Sequence, residues 1–197
     1  MSTRTPHRDG HVPRSGVIRG ADVPLQPWRN GAGVTRRIAT GGSTTAPDWT
    51  LSIAEIEAAG DFSRFDGFER TALILGADPV MLTVDGTDHH LVHLDRIHFS
   101  GDDEVAGEPT HGTTQILNLM VRRTFGRGDL TLQNVRGSVE LSAEGTVAYL
   151  VLSGSLRTAD DALEPLDTIL VGSKAVTVHG TGTVARVHLH PTAASED

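Results

Sequence analysis

The chain of 197 residues contains no cysteine. Disulfide staples and thiolate metal sites are therefore excluded. Lysine is almost missing too: Lys174 is the only one, so positive charge is carried by arginine. Aromatic residues make up 4% of the chain. The core must then be mostly aliphatic, and each aromatic inside a motif stands out: Trp28, Trp49 and Phe65. No apolar run approaches the ~18 residues that a membrane helix needs. The first sixteen residues are polar and lack the apolar stretch of a secretory signal, so a cytoplasmic protein with no membrane partner is expected. The net charge of -8 lacks the electrostatic footprint of a nucleic-acid binder, and no nucleic-acid partner is expected. A basic pocket on such an acidic chain suits a small anion better than a polymer.

What is present is β-rich. With 38% hydrophobic and 21% charged residues, the composition is that of an ordinary globular protein. Residues 1–16 mix Arg, His, Pro, Gly and Ser without periodicity and read as a disordered tail. Residues 17–197 read as one domain. Short β-rich runs there alternate with turn chemistry at Gly76-Ala77-Asp78-Pro79, Asp85-Gly86-Thr87-Asp88, Ser100-Gly101-Asp102-Asp103 and Ser153-Gly154-Ser155. Short strands with regular turns indicate an all-β sandwich or barrel. No segment carries sustained helical periodicity.

A weak repeat runs through the chain. His93–Phe99 echoes Pro165–Val171, Ala72–Gly76 echoes Leu150–Gly154, and Gln115–Met120 echoes Val184–Leu189. Two such units would form two half-barrels packed together. Their approximate limits are 17–130 and 131–197, the second completed by strands from the N-terminal part.

The densest chemistry lies in Pro27-Trp28-Arg29-Asn30-Gly31-Ala32-Gly33-Val34-Thr35-Arg36-Arg37-Ile38. Gly31 and Gly33 let the backbone turn tightly and approach another group closely. Asn30 offers donors and acceptors, and the arginines offer planar forks that suit carboxylates. The segment reads equally as a small-anion site or as a strand entered through a glycine turn, with Trp28 as a core plug. Of the arginine pair, Arg37 shares a strand face with Thr35.

Alternation along strands sorts two further segments. Trp49, Leu51, Ile53 and Glu55 share one face, and Thr50, Ser52 and Ala54 share the other, which is small and partly polar. Leu117, Leu119 and Val121 form an apolar face, while Ile116, Asn118, Met120 and Arg122 form a mixed one. A buried Asn118 needs partners, which a ligand or a neighbouring loop could supply. Phe65 and Arg70 come from a segment that reads as too irregular for a clean strand. There Phe65 could stack on a planar ligand while Arg70 binds its carboxylate; alternatively Arg70 pairs with Glu69 or Glu55 on the surface. Arg122 and Arg123 are adjacent, so at most one enters any single pocket.

These residues also carry a family resemblance. Pro27–Arg36 resembles the opening signature of the HutD/Ves family. Trp49–Ile56, Gly60–Arg70 and Leu117–Arg123 resemble its later blocks, in order. Two departures show: Ala32 stands where the family usually has glycine, and Asp66 where it usually has proline. The resemblance implies an RmlC-like double-stranded β-helix with two cupin units, a bicupin. It also implies a role linked to histidine utilisation. The expected activity is non-catalytic binding of a carboxylate such as urocanate or N-formylglutamate. Arg70 or Arg37 would take the carboxylate. Asn30, Thr35, Ser52 and Asn118 would fix the polar end, and Trp28 and Phe65 would wall the planar part. Gly31 and Gly33 would bring backbone close, and Glu55 would accept from a ring N–H or orient an arginine. Arg122 completes the candidate set.

Two other classes compete. A metal-dependent cupin enzyme wants a His-x-His pair, a following Glu and a later His. His188-x-His190 is such a pair, but it sits almost at the C-terminus, and His89 and His90 read as exposed. A metal-free isomerase wants a base and a positioned acid, yet the only tyrosine, Tyr149, reads as core. No catalytic residue, metal or cofactor is therefore expected. Cupin-like sheets offer faces and edges for symmetric pairing, which admits a homodimer.

Overall fold

The computed structural model describes residues 16–43 and 45–192. The expected tail lies outside them up to residue 15, as do residues 193–197 of the expected domain. Gly16 belongs to the fold: it opens the first strand and pairs with Leu170.

The first strands are β1 (Gly16–Ile18), β2 (Leu25–Pro27), β3 (Gly33–Gly42), β4 (Pro47–Ile56) and β5 (Gly60–Asp61). Next come β6 (Phe68–Ile74), β7 (Val80–Val84), β8 (Thr87–Leu91), β9 (Arg96–Ser100), β10 (Val105–Pro109) and β11 (Thr114–Arg122). The chain ends with β12 (Gly126–Leu141), β13 (Thr146–Arg157), β14 (Ala162–Leu163), β15 (Thr168–Leu170) and β16 (Val176–Pro191). One 3-10 turn, Gly20–Asp22, is the only helical element among the described residues.

Three antiparallel sheets result. A front sheet runs β2-β3-β4-β11-β6-β9, a cover sheet runs β5-β10-β7-β8, and a back sheet runs β1-β15-β13-β16-β12 with β14 on β13. The front sheet has two buried faces, and its alternation explains both. Trp49, Leu51, Ile53, Leu117, Leu119 and Val121 pack against Leu130, Leu150, Val187 and Leu189 of the back sheet. Burying each such side chain is worth about 1.5–3 kcal/mol, so the two halves form one body rather than a hinge. The opposite face turns Ile56, Ala72, Ile74 and Ile116 toward Val80, Leu82 and Val105 of the cover sheet. That closes one end of a first barrel. The back sheet curls on itself around a second core of Val135, Tyr149, Val151, Val178 and Val184.

The repeat is visible as one turn built twice. Leu94 and Leu166 both adopt positive φ, 68° and 72°. Leu94 N–H donates to Ile74 O, and Leu166 N–H to Val151 O, each at 2.8 Å. The next residue is an aspartate whose carboxylate accepts from Val92 N–H at 2.9 Å in one case and from Glu164 N–H at 3.0 Å in the other. Ile74 thus corresponds to Val151, one residue away from the register of the sequence echo. Ser153-Gly154-Ser155 departs from its expected role as a turn. It lies inside β13, where a register shift between Val151 and Ser153 and Gly154 at φ 100° bend the strand without ending it.

Candidate functional site

Beyond the apolar end of the first barrel, the inward faces of β3, β4, β6 and β11 line an open cavity of about 660 Å³. The lining follows from strand alternation: Thr50, Ser52 and Ala54 come from β4, and Ile116, Asn118 and Met120 from β11. Ala54 and Ala72 are small, and this leaves the volume. The register sets Asn118 beside both Ser52 and Ala72, and Met120 beside Thr50 and Arg70.

Arg70 is a strand residue, paired with Met120 on one side and Phe99 on the other. This corrects the expectation of an irregular segment. Nor is it on the surface beside Glu69 or Glu55: it is 5% exposed. Its guanidinium lies 4.8 Å from the Phe99 ring centroid, 5.3 Å from Phe62 and 5.6 Å from Phe65. Nη1 donates to Ser63 O at a long 3.4 Å, and Nε has no partner among the described residues. Burial alone lowers its pKa from the ordinary guanidinium range to about 10, with no carboxylate opposing it. Asn118 Oδ1 and Thr50 Oγ1 are also buried without partners among the described residues. Buried polar groups are normally satisfied; here three atoms without a partner among the described residues gather around one cavity.

The walls come from the strand-turn segments. Trp28 Nε1–H donates to Thr35 Oγ1 at 2.7 Å, and its ring meets Phe62 edge-on at 5.5 Å. Phe65 lies exposed on the strap between β5 and β6. Arg29 and Arg37 lie exposed at the mouth, with Asp61. Asn30 lines the cavity, but both ends of its amide hold the turn: Nδ2 donates to Asp61 O at 3.0 Å, and Oδ1 accepts from Ala32 N–H at 3.1 Å.

Of the twelve candidates, Trp28, Asn30, Thr35, Arg37, Ser52, Phe65, Arg70 and Asn118 line this cavity, and Gly31, Gly33, Glu55 and Arg122 do not. Gly31 makes the β2–β3 turn at φ 73°. A Cβ on Gly33 would run into Glu55 O, so its close approach is to β4 rather than to a guest. Glu55 faces away and accepts from Gln115 Nε2 at 2.8 Å. Arg122 ends β11 and folds over the Phe68 ring at 4.6 Å, donating to Pro47 O. Ala32 points at Gly60, not at the cavity. Thr50, Phe62, Ser63 and Arg29 are additional lining residues. Alternation had already placed Thr50 with Ser52, and Phe62 stands in the Gly60–Arg70 block.

Elsewhere, His188 and His190 lie with ring centroids 4.3 Å apart. Burial, then Arg186 and His190, lowers the His188 pKa, and His190 Nε2 lies 3.1 Å from Asp129. Among the described residues no cluster of three His, Asp or Glu side chains could hold a metal ion, and no helix is long and apolar enough to cross a membrane.

Comparison with known proteins agrees with this architecture. HutD from Pseudomonas fluorescens SBW25 superposes with a TM-score of 0.74 at 27% identity, over 89% of this chain and 99% of that one. A cupin 2 conserved barrel domain protein from Leptotrichia buccalis reaches 0.58 over 89% of this chain and 96% of that one, at 10% identity, which places the chain in the cupin-like fold. Protein Ves of Citrobacter koseri is 33% identical over 144 residues, 72% of this chain and 74% of that protein. A Pseudomonas putida protein in the hutC 3′ region is 36% identical over 107 residues, 53% of this chain, and that match spans 56% of its length. The HutD family model matches residues 20–187, and the chain belongs to the HutD family.

Proposed function

We propose that this chain is a cytoplasmic small-molecule binding protein whose first barrel takes a planar or formylated carboxylate of histidine catabolism, urocanate or N-formylglutamate, and thereby modulates histidine utilisation. The observation that carries the reading is Arg70, a buried guanidinium with no carboxylate partner, ringed by three phenylalanines on a cavity wall. Such a charge is costly while unpaired and favourable once a carboxylate meets it. Trp28, Phe62 and Phe65 supply aromatic walls for a planar body. Thr50, Ser52 and Asn118 meet its polar end, and Arg37 stands at the mouth. Binding rather than turnover is supported by the titratable side chains of the lining, three arginines and Asp61. A guanidinium does not exchange protons near neutrality. The link to histidine rests on family membership and on the relative from the hutC 3′ region. The proposal includes two cupin-like units, the first open and the second closed.

Thermal unfolding against urocanate, N-formylglutamate, formate, histidine and an unrelated dicarboxylate tests it. A ligand at about a hundred times its Kd stabilises by ~2.7 kcal/mol. At ~2–4 °C per kcal/mol that is a rise of roughly 5–10 °C. The rise is expected with urocanate or N-formylglutamate, to vanish in Arg70→Met and to persist in Arg122→Ala, whose side chain lies on Phe68. No response to either compound at millimolar concentration refutes the proposal.

A further inference from the structure

Phe99 of β9 is the nearest ring to the Arg70 guanidinium, and the other contacts named above come from one short strap. Phe62 and Phe65 supply two of its three rings, and Ser63 its one carbonyl. The strap from Phe62 to Gly67 has no strand of its own. It is stitched to the start of β10 and to the β9–β10 turn: Phe62 N–H donates to Val105 O, and Phe65 N–H to Gly101 O, each at 2.8 Å. Gly67 N–H donates to Asp102 Oδ1 at 2.9 Å. A Cβ on Gly101 would collide with Phe65 O, so the turn admits the strap only because residue 101 is glycine.

Arg123 locks this seam from outside the barrel. Its Nε reaches Glu69 Oε1 at 2.5 Å, and its Nη2 reaches both Asp102 Oδ2 and Ser100 Oγ at 2.5 Å. Its own N–H donates to Gly67 O at 2.9 Å. The side chain thus ties β6 to the β9–β10 turn, and the backbone of the same residue holds the end of the strap. The planar fork suits this: several donors in fixed directions hold several acceptors at once. An isolated exposed ion pair contributes little, but a shared network fixes geometry.

We propose that Arg123 is a positioning residue for Arg70, acting through Asp102 and Gly67 on the strap that cages the buried guanidinium. This deepens the binding reading above and rests on it for its ligand arm. Its first arm needs no ligand. Trp49 is buried, so acrylamide quenching of the unliganded protein reads Trp28, which packs edge-on against Phe62 of the strap. Quenching is expected to rise in Arg123→Ala and in Gly101→Ala while far-ultraviolet circular dichroism stays that of the wild type. In the second arm, Arg123→Ala weakens binding of urocanate or N-formylglutamate by about three- to tenfold, the scale on which residues remote from a ligand modulate its site. Asp102→Asn added to Arg123→Ala weakens it no further, since both act along one route. Unchanged quenching in both single variants overturns the proposal, as does unchanged affinity in Arg123→Ala. Raised quenching in a protein whose wild type binds neither probe supports the clamp and refutes the binding reading alone.

Discussion

Replacing Arg70 with methionine should stabilise the empty protein while destroying its anion response. Burial lowers the Arg70 pKa from the ordinary guanidinium range to about 10. At 1.36 kcal/mol per pH unit, the native state holds this charge at a cost of about 3 kcal/mol. The three phenylalanine rings within 5.6 Å return part of that, roughly 0.5 kcal/mol or more each. Methionine removes the charge, fills a similar length and keeps sulfur–aromatic contacts. The net gain is therefore about 2 kcal/mol, a Tm higher by roughly 4–8 °C for a chain of this size. Because the guanidinium is charged across the neutral range, the gain should be flat from about pH 6 to 9. Differential scanning calorimetry of both proteins, without and with N-formylglutamate, measures it. The variant should melt higher when empty and show no ligand shift. A variant that melts several degrees lower would mean that Arg70 is a structural cation satisfied by its rings, and would refute the reasoning. The expected outcome is a trade between stability and function of the kind binding sites impose.

Two further outcomes follow from buried groups in the second half. Asp167 is 3% exposed; burial pushes its carboxyl up, but the Glu164 N–H, Arg19 and the Gly20 N–H outweigh it and hold its pKa below 3.8. Its stabilisation is therefore present above the unfolded value and lost as pH falls through the native one. Asp167→Asn should cost about 2 kcal/mol at neutral pH, and the deficit in Tm should close as melts are taken at successively more acid pH below 3.8; a deficit that persists there refutes the electrostatic account. Tyr149 is fully buried, with its hydroxyl donating to Ser142 O at 2.9 Å. Tyr149→Ala should cost about 3–5 kcal/mol in calorimetry and leave the ligand-induced shift of the first barrel intact. Loss of that shift in a folded variant would show that the two cores are coupled.

How much of this was legible before folding depends on how far each residue obeys local rules. The faces of β4 and β11 followed from alternation, because side chains on a strand cannot choose their side. Thr50, Ser52, Asn118 and Met120 were sorted correctly for that reason. Arg70 was harder: the glycines and aspartates of Gly60–Gly67 hide the point where β6 begins, and its pairing partners Met120 and Phe99 are distant in sequence. Glu55 and Arg122 found partners, Gln115 and Pro47, that no local pattern announces. The repeat was seen one residue out of register. Since one residue flips a strand's faces, the echo set Gln115 against Val184, whereas strand pairing sets Ile116 opposite Ile74 and Val184 opposite Val151. The sequence carries no mark of the β13 bulge beside Val151.

Corrected for that slip, the two halves differ where it matters. Ile74 corresponds to Val151, so Ala72 corresponds to Tyr149, two residues earlier on the same face. Ala72 pairs with Asn118, and Tyr149 with Arg186. In the first barrel a methyl group at this point leaves the cavity open, and Asn118 Oδ1 has no partner among the described residues. In the second, a phenol fills the space, and its hydroxyl is satisfied by Ser142 O. Arg186 turns outward to Thr146 Oγ1 and Glu144 O, at 2.7 and 2.8 Å. The same scaffold position thus yields an open cavity or a plugged core according to one side-chain volume. An unpaired buried polar group is tolerated in a fold only where the rest of the molecule carries its cost. Here the second core and the apolar layer between the sheets supply that surplus, and Arg70 stays without a carboxylate partner beside the cavity.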